Sequence, residues 1–228
     1  MVTPVASLDG RGRFDVTVVS PPAQSGPAIV FIPAVFGVSA DVMHELDAYA
    51  ARGFFVLAPD LFWRIDPGPL GYDGSDRDRA FARYAGFDVA SGVEDLDATI
   101  RLARSLPGAN GRVAVLGVCF GGRLAFLAGT RLGVDAIGAF HGTKIGMHLD
   151  EADRLICPAS LHFGEDDAQV PLDEVAAIRT ALSSNANAHV YTYPGAKHGF
   201  SHPTRPSYDE RAASASAARV LDAFGQLH

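Results

Sequence analysis

Short, solidly apolar runs alternate along this chain with stretches whose apolar residues recur every three or four positions. Residues 28–32, 54–58, 113–116, 134–140 and 159–163 read as buried strands, and 189–193 as another strand. Residues 13–19 alternate apolar and polar, as a half-exposed strand does. The Pro- and Gly-containing loop 21–27 after them fits an antiparallel edge hairpin. Ser39 is placed to cap a helix running to about Arg52, with Val42, Met43, Leu46, Tyr49 and Ala50 on its apolar face. A short helix is expected over 76–84. A longer helical stripe is formed by Val89, Val93, Leu96, Ile100, Ala103 and Leu106. Two further helices are expected over 172–183 and 208–227, and 141–158 reads as loop. The Gly-, Pro- and Asp-rich stretch 64–75 is long for a loop in a compact domain, which points to a functional or mobile segment.

Strand and helix alternate with no linker or repeat between them. That pattern predicts an α/β protein: a mainly parallel sheet, helices on both faces, and one domain over residues 1–228. In such sheets the loops leaving the strand C-termini form the ligand crevice. Cys119, the adjacent Asp166 and Asp167, and His198 all fall in loops of this kind.

Composition narrows the picture modestly. The 228 residues are 48% hydrophobic and 20% charged, with a net charge of −7, a balance that argues against a nucleic-acid surface. No run approaches the length of a membrane span, and the first residues lack the basic and apolar regions of a signal peptide. A cytoplasmic location is therefore expected. Two cysteines, Cys119 and Cys157, make no disulfide framework. No histidine spacing matches a metal motif, so neither metal nor cofactor is predicted.

The chemistry concentrates at Gly117-Val-Cys119-Phe-Gly121-Gly122, where a β run stops and a helical run begins. This is the G-x-C-x-G form of a nucleophile elbow. Its glycines allow a very tight turn, and the following helix N-terminus favours a thiolate or an oxyanion. Nucleophile, acid and histidine then follow in the order Cys119, Asp166 or Asp167, His198. Spacing leaves the choice between the two aspartates open. Cys157, before Pro158, reads as a buried inert thiol, and Asp60 as structural.

The chain resembles the dienelactone hydrolase (carboxymethylenebutenolidase) family of the α/β-hydrolase superfamily. The matching pieces are Phe36-Gly37-Val38, Ala58-Pro59-Asp60-Leu61, the elbow, Gly164-x-x-Asp167-x-x-Val170-Pro171 and Tyr193-Pro-Gly-Ala-Lys-His198-Gly-Phe200. The resemblance implies Cys119 as nucleophile, His198 as base and Asp167 as the acid. It also implies backbone N–H groups of Val35 and Phe120 as oxyanion donors, and a monomer. Arg77, His141, His202 and Phe36 are the implied substrate contacts, and the implied partner is a small ester or lactone, anionic in character.

Three positions depart from the family pattern. Ala34 stands where well-studied members carry a Glu that helps take the thiol proton. His202 stands in place of a carboxylate-gripping Arg, and His141 in place of a Tyr found in some members. These changes bear on the substrate more than on hydrolysis, and they predict a less tightly gated, broader hydrolase. A non-catalytic binding protein, or a thioesterase or acyl-transfer enzyme on the same fold, are the alternatives.

Overall fold

A computed structural model describes all residues, 1–228. Its residues group into two compact units, Met1–Ala114 with His228, and Val115–Leu227.

In the first unit, strands β1 (Val2–Ala6), β2 (Arg13–Val19), β4 (Phe55–Pro59) and β3 (Gly26–Ile32) lie in that order, followed by β5 (Ala109–Val118), whose last residues belong to the second unit. β1 pairs antiparallel with β2, β2 antiparallel with β4, and β3 parallel with β4. The expected edge hairpin therefore exists, but its partner strand is β1 and not the strand at 28–32. β1 left no signal because none of its five residues is buried, so its apolar positions report no core.

Helix α1 (Ala40–Ala50) starts as expected at Ser39, whose side chain accepts a hydrogen bond from the Val42 N–H. It buries Val42, Leu46, Tyr49 and Ala50. α2 (Gly74–Ala85) and α3 (Val89–Ser105) follow, and Val93, Leu96, Ile100 and Ala103 of α3 are buried as the stripe predicts.

The long loop between β4 and α2 is tied at several points. Asp60 accepts hydrogen bonds from the N–H groups of Phe62 (3.1 Å) and Gly68 (2.7 Å), the structural role expected of it. Asp95 of α3, wholly buried, accepts from the Trp63 indole (2.8 Å) and pairs with Arg64, which also reaches Asp9.

The second unit orders the end of β5, β6 (Ala136–Phe140), β7 (Ala159–Gly164) and β8 (Ala188–Tyr193), with β6–β7 and β7–β8 parallel. α4 (Phe120–Arg131) is buried from Phe120 to Thr130. α5 (Leu172–Ala181) and α6 (Glu210–Phe224) complete the unit. Residues 145–154, expected as loop, form a kinked 3₁₀ segment. It has no long apolar stripe to announce it. Glu151 fixes it to α4 through Arg131, whose Nε donates to the carboxylate at 2.7 Å. No helix is long and apolar enough to cross a membrane.

Candidate active site

β5 runs straight into Cys119, the residue that caps α4. Its backbone, at φ 55° and ψ −114°, lies in a region that side-chain-bearing residues rarely enter, at a cost of about 1–3 kcal/mol. Three backbone hydrogen bonds hold it there. The Cys119 N–H donates to the Phe140 carbonyl at the end of β6 (3.0 Å), and its own carbonyl accepts from Gly122 (3.0 Å) and Thr143 (3.1 Å).

The neighbouring glycines are demanded by packing. A Cβ on Gly117 would sit 2.0 Å from the Gly121 carbonyl oxygen, and one on Gly122 would sit 2.4 Å from the Gly142 Cα. Phe120, buried, is the first residue of α4, so its N–H lies at the positive end of the helix beside the sulfur's residue.

Asp167 and His198 meet directly. His198 Nδ1 lies 2.8 Å from Asp167 Oδ2, and Asp167 Oδ1 accepts from the Gln169 N–H at 2.8 Å. The Asp167 side chain is fully buried, whereas Asp166 is exposed. Of the two aspartates left open by spacing, Asp167 is the one that meets His198. Opposite, His198 Nε2 is shut off from solvent and has no partner with full hydrogen-bond geometry. Burial opposes a charge on this ring and is the strongest single influence. The hydrogen bond to Asp167 and the proximity of Cys119 together outweigh it, raising the His198 pKa to about 9.

His141 follows β6 and is buried, with its ring centroid 4.5 Å from that of His198. Its Nε2 lies 3.2 Å from the Ser201 hydroxyl. Burial first, then repulsion from His198 and His202 when those rings carry a proton, hold its pKa well below the usual value. His202 is also buried, on the same loop as His198. Cys157 is buried, and burial pushes its thiol up to about 11, as an inert cysteine requires.

Val35, Phe36 and Arg77 belong to the first unit. Val35 and Phe36 are buried, and Phe36 packs edge-on against Tyr72 at 4.8 Å. Arg77 is exposed and lies over the Phe81 ring at 5.0 Å. The arginine that matters most here was not singled out from sequence. Arg83, only 1% exposed, donates from Nε and Nη2 to the Val35 carbonyl (2.9 and 2.7 Å) and from Nη1 to the carbonyls of Asp66 and Gly68 (2.7 and 2.8 Å). Nothing in a charge-rich helix distinguishes a buried arginine from its solvated neighbours.

The dienelactone hydrolase family pattern matches residues 14–228. The chain belongs to that family. It is 32% identical over 225 residues to a carboxymethylenebutenolidase from Pseudomonas putida, covering 98% of this chain and 95% of that protein. It is 31% identical over 219 residues to carboxymethylenebutenolidase 1 of Cupriavidus pinatubonensis, covering 95% and 93% respectively. A crystal structure of a Klebsiella pneumoniae chain, provisionally assigned as a dienelactone hydrolase, superposes with a TM-score of 0.83 at 26% identity. That superposition covers 99% of this chain and 98% of the other, so the fold is the α/β-hydrolase fold expected from sequence. As a dienelactone hydrolase family member it carries a cysteine at the elbow, an alanine at position 34 and histidines at 141 and 202.

Proposed function

We propose that this protein hydrolyses a lactone or small carboxylic ester, of carboxymethylenebutenolidase type, through a covalent thioester on Cys119. The observation that carries this reading is the conjunction of a strained Cys119 at the head of α4 with His198, bonded to the buried carboxylate of Asp167.

Ala34 cannot accept a proton, so His198 takes the one from the Cys119 thiol, and Asp167 stabilises the imidazolium that results. The thiolate attacks the carbonyl carbon. The tetrahedral oxyanion is met by the Phe120 N–H at the helix N-terminus. As the C–O bond breaks, the departing oxygen takes the proton from His198, leaving an acyl-thioester and a neutral imidazole. A water then gives its proton to that imidazole while its oxygen attacks the thioester. Carbon–sulfur cleavage returns the thiolate–imidazolium pair and releases the acid.

His202 would pair with an anionic substrate when it is protonated. We take the enzyme to act as a cytoplasmic monomer, in surroundings that keep Cys119 reduced.

The test is a panel of aryl esters and unsaturated lactones assayed with wild type and Cys119→Ala, with intact mass measured during turnover. The expected result is hydrolysis by wild type alone, with an acyl adduct on the peptide containing Cys119. Full activity in the alanine variant would rule out the covalent route. No turnover of any substrate by wild type would favour a binding role.

A further inference from the structure

His141 carries more structural cost than a residue of the pocket wall needs. It has a φ of 40°, which a residue with a side chain rarely adopts, although histidine is among those that tolerate it better. Its N–H donates to the His162 carbonyl at 2.7 Å, so the strained conformation is clamped at the end of β6. The residue is only 2% exposed, and Nδ1 is buried with no hydrogen-bond partner. Strained backbone and an unsatisfied buried nitrogen in one residue persist where function holds them in place.

The ring packs among residues of the loop that carries His198. It stands at 62° to the His198 ring, centroid to centroid 4.5 Å, and against Phe200 at 5.6 Å, with Nε2 beside the Ser201 hydroxyl at 3.2 Å. The bond to Asp167 fixes one atom of the His198 ring but leaves the ring free to swing about that bond. A second, rigid neighbour removes the swing.

We propose that His141 is a positioning residue for His198: its ring, anchored at Ser201, fixes the plane of the His198 imidazole between Asp167 and Cys119. This reassigns His141 from a substrate contact to a support for the base, and it rests on the covalent reading above. Both ring nitrogens of such a support must stay uncharged, because a second cation would face the His198 imidazolium. The charged or titratable groups around the pair are His202 and Arg205 from the same loop as His198, Asp167 after β7, and Cys119 at the elbow.

The sign of the pH effect follows from the balance at His198. Burial disfavours its charged form, while the Asp167 bond and Cys119 favour it; a ring that swings about the Asp167 bond carries Nε2 away from Cys119, loses that contribution and titrates lower.

The test compares His141→Asn, which tolerates the backbone but has no ring, with His141→Phe, which keeps a ring of similar size. Thermal unfolding of both checks that they are folded. Steady-state kinetics, the alkaline limb of the pH–rate profile and an NMR titration of the His198 ring are then measured. His141→Asn is expected to lower kcat by about tenfold or more with KM changed by less than about threefold. Its His198 titration should move down by about one pH unit, with His141→Phe, which keeps the ring but not the Ser201 bond, recovering part of both losses.

A rise in KM alone would overturn the proposal in favour of substrate contact. An unmoved His198 titration in His141→Asn, or no recovery in His141→Phe, would overturn it outright. The NMR titration needs no substrate, so it judges His141 separately. Failure of the covalent reading would show instead in the Cys119→Ala assay.

Discussion

The Asp167 carboxylate accepts the His198 Nδ1 hydrogen bond at 2.8 Å from a position of zero side-chain exposure, while Asp166, one residue earlier, is exposed to solvent. A buried carboxylate holds its partner far more firmly than a solvated one, because water competes for neither the charge nor the hydrogen bond. The two aspartates should therefore differ sharply under the same substitution. Asp167→Asn keeps the shape but loses the charge and favours the wrong His198 tautomer, so kcat/KM should fall by about 10³-fold or more. Asp166→Asn should stay within about twofold of wild type, as surface substitutions do. Equal losses in the two variants would show that burial was the wrong criterion.

The raised pKa of His198 gives a pH dependence with a definite sign. Its folded value, about 9, lies above the 6.5 of an unperturbed histidine. Protonation therefore stabilises the fold fully below about pH 6.5, and that contribution is lost as pH rises through about 9. The difference in melting temperature between wild type and His198→Gln should shrink between pH 6.5 and 9.5. The activity of wild type should fall along an alkaline limb near pH 9, where the imidazolium that the proposed mechanism uses to protonate the leaving group disappears.

Arg83 should matter to stability although it is remote in sequence from every motif. Its guanidinium serves three carbonyls, those of Val35, Asp66 and Gly68. Arg83→Met fills much of the same space but leaves those acceptors unpaired, at about 1–3 kcal/mol for each one that water cannot reach. The expected outcome is a markedly lower melting temperature, with faster proteolysis within residues 60–73. Lysine has one ammonium in place of a planar fork, so Arg83→Lys should recover only part of the loss.

The two cysteines should separate cleanly under alkylation. Cys119 is partly accessible, whereas Cys157 is buried with its thiol pushed up to about 11. Brief iodoacetamide treatment at neutral pH should modify Cys119 first and abolish activity in step with that adduct. Cys157→Ser should keep wild-type turnover. Peptide mapping that found Cys157 alkylated first would contradict this.

Hydrophobic periodicity revealed the strands at 28–32, 54–58 and 113–116 and the stripe of α3, because each buries a continuous face whose pattern is local. It did not reveal β1, whose residues are all at least partly exposed, or the 3₁₀ segment at 145–154, which is held by the Glu151–Arg131 pair.

The sequence by itself determined the alternation of strand and helix, the glycine-flanked turn at Cys119, and the order along the chain of Cys119, the two candidate aspartates and His198. Those depend on residue type and spacing along the chain. Only the tertiary structure decided which aspartate is buried, which arginine holds the Val35 loop, and that His141 leans on His198. Burial and hydrogen bonding join residues far apart in sequence, and no local pattern records which groups will be shielded from water when the chain closes on itself.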